Sequence, residues 1–343
     1  DITFNKFIDY DNFLSRRNID IIFTGNYTHP SNFEPQINRL GDDYSVFYRN
    51  IIDDLIAHPY LDIAEAFEQH LVAEIEDISF HHENSKYFPG KKLANNIEAT
   101  LSLEGALTNT DLLVLALPSG AVSSVLPEVA KLLKTKPLMV SLTKGFDEKT
   151  GLGLSSLIRE IMGDSIRGFV SMMGPTFASE VMNGDSTCIA AISQNKDDAI
   201  EVQQLFSTPS FRVYTQNDVI GAEVGCGMKN IIAIASGILG GLGYGDNARA
   251  SLITRGLAEI TRFGVHSDKK KKTFLGLTGV GDLFLTCSSK QSRNYSFGYE
   301  VGKANDASVI LKNLTKTVEG IPATKIIHEI AAKKGISVPI VDA

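Results

Sequence analysis

The chain has 343 residues, 43% hydrophobic and 21% charged, a balance that supplies material for two domains with ample cores and excludes a disordered or fibrous protein. Its formal charge of −7 argues against a nucleic-acid surface. Three cysteines, Cys188, Cys226 and Cys287, are odd in number and widely spaced among apolar or small residues. That pattern suits reduced thiols in the cytoplasm and gives no zinc spacing.

The first residues, Asp1-Ile2-Thr3-Phe4-Asn5-Lys6, lack the basic-then-apolar order of a signal peptide, and a start without methionine suits a fragment or a processed product. Ile19-Asp20-Ile21-Ile22-Phe23 reads as a buried strand. A dinucleotide fold would continue with G-x-G-x-x-G, whereas this chain has Gly25-Asn26-Tyr27-Thr28-His29-Pro30, with only the first glycine. Tyr27 stands where a backbone must approach a pyrophosphate, and Pro30 where helix and strand must touch. Pro35 falls inside the helix that should follow, at roughly 3 kcal/mol if that helix is regular. Residues 41–49 resemble a turn and a second strand ending in Arg49, and residues 51–78 carry helical periodicity broken at Pro59. His81-His82 has no third ligand nearby and reads as a solvated pair, not a metal site.

From Leu112 the pattern sharpens. Leu112-Leu113-Val114-Leu115-Ala116-Leu117 is a continuous apolar run closed by Pro118-Ser119-Gly120, as in a central parallel strand. The next helix carries Pro127, tolerable only near its start. Further strands are expected at Leu138-Met139-Val140-Ser141-Leu142, ending in Lys144; at residues 168–173, ending in Gly174-Pro175-Thr176-Phe177-Ala178; at residues 188–192; and near residues 211–214. Such alternation predicts an α/β fold, a Rossmann-like doubly wound parallel sheet with ligands at the carboxyl ends of its strands. After Tyr214 only helices are expected, making an all-helical C-terminal domain. The weakly polar run at residues 231–243 is too short to span a bilayer, so no membrane span is expected. The run Asp268-Lys269-Lys270-Lys271-Lys272 reads as a solvated loop.

Three places in the helical part can carry chemistry. Lys229 lies between Gly225 and Ala233, on a helix face with no bulky side chain and no acidic neighbour one turn away. Desolvation on such a face favours the neutral form of an ammonium, which makes a lysine usable as an acid or base; the plainer reading is a lysine snorkelling to water. Asp282 is a single carboxylate in a glycine-rich apolar segment, either functional or a helix N-cap. Ser292-Arg293-Asn294 precedes a helix and combines backbone donors with an arginine fork, as a phosphate site does; a capped polar loop is the alternative.

Taken in order, Leu115-Ala116-Leu117-Pro118-Ser119, Thr143-Lys144-Gly145, Gly174-Pro175-Thr176-Phe177-Ala178, Lys229-Asn230, Gly245-Asp246-Asn247-Ala248-Arg249, Gly281-Asp282-Leu283, Ser292-Arg293-Asn294 and Val318-Glu319-Gly320 resemble the bacterial type of NAD(P)-dependent glycerol-3-phosphate dehydrogenase. The resemblance runs from about residue 80 to the end. It implies that Lys229 accepts the proton of the substrate's C2 hydroxyl and that Asp282 orients it. It implies substrate contacts from Lys144, Gly174 and Thr176, a phosphate grip by Ser292, Arg293 and Asn294, and cofactor contacts from Lys144, Ala178, Arg293 and Glu319. The cofactor would be NAD or NADP, the substrate a small phosphorylated triose and the role a supply of glycerophospholipid precursor; a homodimer stays open. Thr317, two before Glu319, is polar where the family is usually apolar.

The resulting expectation is three segments: residues 1–80, an eroded Rossmann start or an unrelated insert; 81–216, the rest of a dinucleotide-binding domain; and 217–343, a helical catalytic domain. A second reading, motivated by residues 25–30, is a catalytically impaired descendant that keeps the triose-phosphate site. A third, a dehydrogenase of another 2-hydroxy acid, sits poorly with Ser292-Arg293-Asn294.

Overall fold

The computed structural model describes residues 19–22 as backbone and residues 73–343, apart from 118, 148–150, 152, 266–270, 313 and 315–317. The expectations placed on residues 23–72, which include Tyr27, Pro30, Pro35 and Arg49, lie outside the described residues. So do those on Pro118, Lys269, Lys270 and Thr317.

Among the described residues six strands form one sheet in the order β1 to β6: Ile19–Ile22, Leu112–Leu115, Leu138–Ser141, Gly168–Met173, Thr187–Ile192 and Phe211–Gln216. The anticipated first strand is therefore in place, parallel to β2 with Ile19 opposite Leu112. β2 and β3 are buried along their whole length, because helices cover both faces of a parallel sheet, and this is why their sequences run apolar without alternation. The two faces still separate by the strand period of two. Leu112 and Val114 join Val140 and Val170 in one core; Leu113, Leu115, Met139 and Phe169 join the other, under helices α1 (Val122–Leu132) and α2 (Leu154–Met162).

Two local expectations change. β5 runs antiparallel to β4, with Met173 opposite Ala190, while β5 and β6 are parallel. The short helix α3 (Ala178–Asn183) and a left-handed Gly184 turn the chain straight back after β4. Apolar alternation records which residues are buried but not strand direction. Pro127, expected only near a helix start, stands inside α1. Burial of Val122, Leu126 and Val129 in the core holds that helix across the missing N–H.

Beyond α4 (Lys196–Phe206) and β6 the described residues are helical: α5 (Val219–Gly241), α6 (Asp246–Val265), α7 (Asp282–Ser288), α8 (Arg293–Ala304), α9 (Gly320–Lys334) and the short α10 (Pro339–Asp342). Short helices also occur at Lys271–Phe274, where a loop was expected, and at Ala307–Lys312. Asp218 caps α5, accepting from the Gly221 N–H at 3.0 Å, and is itself held by the Thr273 hydroxyl at 2.6 Å. α5 extends well before the apolar run at residue 231. With 23 residues and a mean hydropathy of 1.3 it is long and apolar enough to cross a membrane, so the expected shortness of that run does not hold for the helix. In the fold it is a central helix, 67% buried over its most apolar window and surrounded by α6, α7, α8 and α9.

Its seam with α8 is made of backbone. A Cβ on Gly298 would lie 2.0 Å from the Ile234 carbonyl oxygen, and one on Gly237 would lie 2.1 Å from that of Tyr295. Glycine is required at both for the helices to approach this closely. The seam fixes where the N-terminus of α8, and with it Ser292-Arg293-Asn294, meets the helix that carries Lys229.

Candidate active site

The carboxyl ends of β3 and β4 face the middle of α5, and the start of α7 closes the space between them. A π-helical turn, Leu277–Gly281, leads into α7, whose first residue is Asp282. Gly281 occupies the N-cap position, so Asp282 is not the capping residue; its carboxylate points at partners from elsewhere.

Those partners are cations. Lys229 Nζ donates to Asp282 Oδ1 at 2.6 Å and to Thr286 Oγ1 at 2.9 Å, while the Thr286 hydroxyl donates to the Asp282 carbonyl at 2.6 Å. Lys144 Nζ, on the loop after β3, lies 3.5 Å from Asp282 Oδ2 and donates to the Gly174 carbonyl at 3.1 Å. Cys226 Sγ lies 3.5 Å from the same Oδ2. The pair is dry: the side chains of Lys229 and Asp282 are 8% and 2% exposed, against 21% for Lys144. Lys229 thus has no acidic neighbour along its own helix but acquires one across the fold, which replaces the isolated ammonium anticipated from the sequence.

Burial works against the charge of Asp282, yet the Lys144 and Lys229 ammoniums outweigh it and hold the carboxyl below its ordinary value. Lys144 is affected in the opposite sense: burial disfavours its charge, and Asp282 first among its neighbours overcomes this and raises it. Cys226 is pushed up to about 12, first by burial and then by the Asp282 carboxylate. Burial pushes Cys287 up to about 12 as well. All three cysteines are free. No cluster of metal-ligating side chains occurs among the described residues.

A second set of groups flanks this centre. Ser292 caps α8 through the Tyr295 N–H, and Arg293 is the first helical residue. Asn294 Oδ1 accepts from the Gly320 N–H at 2.8 Å. Beside it, Asn230 Nδ2 donates to Glu319 Oε2 at 3.1 Å. Asn230 and Glu319 line a narrow cleft together with Ser119, Gly145 and Phe146, from the segments after β2 and β3. Thr176 and Ala178 stand on the loop after β4, Ala178 as the first residue of α3. That helix is joined to the α8 entry by Ser179, which donates to Gln291 Oε1 at 2.8 Å.

The structure therefore brings Lys229, Asp282, Lys144 and Gly174 into direct contact and sets Asn294 and Glu319 beside them through Gly320 and Asn230. The contacts place neither Thr176 nor Ala178 on the lysine centre. Thr286, Cys226 and Asn230 had been given no role from sequence. Thr286 carried a usable signal, since four residues after Asp282 on one helix is a same-face position. Cys226 carried none, because a cysteine in an apolar stretch is ordinarily core.

Two family descriptions match the chain: "NAD-dependent glycerol-3-phosphate dehydrogenase N-terminus" over residues 65–199 and "NAD-dependent glycerol-3-phosphate dehydrogenase C-terminus" over residues 218–343. A curated relative from Enterococcus faecalis, named glycerol-3-phosphate dehydrogenase [NAD(P)+], is 43% identical over 270 residues, covering 78% of this chain and 79% of the relative. One from Lactobacillus helveticus with the same name is 44% identical over 273 residues, covering 78% and 80%. Among solved structures, glycerol-3-phosphate dehydrogenase from Coxiella burnetii is similar with a TM-score of 0.72 and 31% identity, over 79% of this chain and 82% of that one. On its sequence, its sheet and its helical half together, the chain belongs to the NAD-dependent glycerol-3-phosphate dehydrogenase family.

Proposed function

We propose that the chain interconverts sn-glycerol 3-phosphate and dihydroxyacetone phosphate with NAD or NADP, in the cytoplasm, and so supplies glycerophospholipid synthesis. The observation that carries this reading is the buried contact of Lys229 with an Asp282 carboxylate that Lys144 also reaches, at the carboxyl ends of parallel strands. The cleft beside it fits a nicotinamide dinucleotide in its chemistry. Glu319 and the Asn230 amide offer acceptors and donors for an amide or ribose hydroxyls, and Gly145, at a φ of 122°, adds no side chain to the cleft.

When bound, NAD(P) supplies the hydride acceptor for alcohol oxidation and the donor for ketone reduction. The chain's own residues handle the proton and the phosphate. In reduction the Lys229 ammonium gives its proton to the oxygen at C2; in oxidation its neutral amine takes the proton of the C2 hydroxyl. Asp282 and Thr286 fix the lysine, which keeps its nitrogen in one place without a reorganisation cost at the moment of transfer. Lys144, next to Gly174, supplies positive charge for the developing oxyanion, with Thr176 as a further substrate contact. The N-terminus of α8, with Ser292, Arg293 and Asn294, grips the phosphate away from the reacting carbon and turns binding energy into orientation. Ala178, Glu319, Lys144 and Arg293 would hold the cofactor. We also read residues 81–216 as the remainder of the dinucleotide domain and 217–343 as the catalytic domain, with residues 1–80 as an atypical segment, a degenerate Rossmann start or an unrelated insert. The burial of α5 inside the protein supports a chain without a membrane span.

The test is oxidation of NAD(P)H by dihydroxyacetone phosphate, compared between the native protein and Lys229→Ala. Activity in the first and a large loss in the second is expected. If both are equally inactive the catalytic reading fails. In that case NADH titration followed by fluorescence decides whether the chain is a non-catalytic relative, a reading that rests on residues 25–30, outside the described residues.

A further inference from the structure

One buried carboxylate has no part in the chemistry just described. Glu223 is 2% exposed and lies on α5, six residues before Lys229. Its partners are not on α5. Oε1 accepts from the Ser155 N–H at 2.7 Å, and Oε2 accepts from the Ser155 hydroxyl at 2.8 Å. Ser155 belongs to the first turn of α2, whose free N–H groups and positive end favour an anion there. The fit leaves no spare room: a Cβ on Gly153, the residue that opens α2, would lie 2.2 Å from Glu223 Oε2.

The grip reaches back towards the substrate side. Gly153 forms an isolated antiparallel bridge with Phe146, and Phe146 lies two residues after Lys144. Phe146 is seated on α5 one turn after Glu223, where a Cβ on Gly227 would meet its ring at 2.2 Å, and it is buried with Val224 and Met228 in the core of the helical half. The loop after β3 is thus pinned to α5 twice on one helix face, by a carboxylate at 223 and by an aromatic ring at 227. Both pins join the two segments that carry the lysines sharing Asp282.

We propose that Glu223 is a positioning residue for the dehydrogenase reaction, latching the Lys144-bearing loop of the sheet half onto the helix that carries Lys229. The inference rests on the function proposed above. Without the latch the loop keeps its Phe146 seat but loses the bonds that set its register along α5, and Lys144 shifts relative to Asp282. A misplacement of about 1 Å costs on the order of 10²-fold in rate, so a partial slip of this loop costs on the order of 10-fold.

Glu223→Ala is expected to lower kcat on the order of 10-fold while the KM for dihydroxyacetone phosphate, whose phosphate is held by α8, moves less than about 2-fold. Glu223→Gln, which can still accept from the Ser155 N–H and donate to its hydroxyl, should restore most of kcat. Gly153→Ala has an ordinary backbone, with φ −61° and ψ 143°, so it acts only by displacing the carboxylate. Its loss should not add to that of Glu223→Ala in the double variant. Hydrogen exchange read by mass spectrometry supplies a measure independent of turnover. In Glu223→Ala, peptides covering residues 144–147 and 153–158 should exchange faster while the middle of α5 stays protected. Unchanged exchange in those peptides overturns the latch. A kcat within about 2-fold of the native value, with only the melting temperature lowered, overturns the positioning role. Additive losses for Gly153→Ala and Glu223→Ala do the same. If native protein and Lys229→Ala are equally inactive, the proposed function fails, and the exchange measurement still decides whether Glu223 holds the loop.

Discussion

Lys229 and Asp282 stand 53 positions apart in the sequence, and their charged atoms meet at 2.6 Å. The contact joins the longest helix among the described residues to the first residue of another, and a third element brings Lys144 to the second oxygen of the same carboxylate.

Asp282→Asn keeps the shape and removes the charge that Lys229 and Lys144 share. Taking one partner from a buried ion pair costs about 3–5 kcal/mol, and the lysine also loses its orienting group. We expect a loss of that order in chemical denaturation and a fall in kcat of at least about 10²-fold, with steady-state kinetics as the check. A variant as stable as the native protein would show that the pair is not dry in solution.

Two of the buried carboxyls, Asp282 and Glu223, give stability opposite pH dependences. The folded Asp282 lies below its ordinary 3.8, so the unfolded chain binds that proton more tightly. Its contribution is complete above about pH 3.8 and is lost as pH falls through the folded value. Glu223 is raised above 4.5, chiefly by burial against the bonds from Ser155, so its folded form binds the proton more tightly. Its contribution falls as pH rises from about 4.5 through the folded value. Urea denaturation across this range should show the gap between the native protein and Asp282→Asn closing only in acid. The balance between the native protein and Glu223→Gln should move towards the native protein as pH falls.

Thiol labelling should discriminate among the cysteines. Cys226 and Cys287 are buried and pushed up to about 12, whereas Cys188 is partly exposed. At pH 8 the native protein should take up a single iodoacetamide group, at Cys188, and the unfolded protein three, counted by intact mass. Rapid native alkylation of Cys226 would mean that the lysine centre opens to water.

The seam between α5 and α8 predicts an inverted propensity effect. Alanine is better than glycine in a helix by about 0.8–1 kcal/mol, but overpacking costs about 1–3 kcal/mol, and here the obstacle is a carbonyl oxygen that cannot rotate away. Gly298→Ala should therefore lower the melting temperature. It should also raise the KM for dihydroxyacetone phosphate more than it lowers kcat, because α8 carries the proposed phosphate grip.

Much of this was written locally in the sequence. Strands such as Leu112-Leu113-Val114-Leu115 are continuous apolar runs because both faces are covered, and Ser292 is a capping residue type placed directly before its helix. What escaped depended on relations between distant segments. The direction of β5 is set by a tight return through α3, which burial patterns do not encode. Local sequence left Asp282 open between a cap and a functional acid, because its neighbourhood is glycine-rich and its partners Lys144 and Lys229 come from two other elements. Glu223 gave no signal at all, since a single acid on an apolar helix acquires meaning only from Ser155, 68 residues away.

The π-helical turn at Leu277–Gly281 carries a consequence for how this chain can change length. A π turn holds one residue more than an α turn closes on, so the segment acts as a spacer with a defined phase. Deleting a single residue there would let the turn relax into regular helix and still leave a well-formed α7. It would also rotate everything after it by about 100° and shift it by about 1.5 Å. Asp282 would then point away from both lysines, and the close packing of α8 and α9 on α5 would be lost with it. Substitutions of similar size are tolerable in this turn, whereas a change in its count is not.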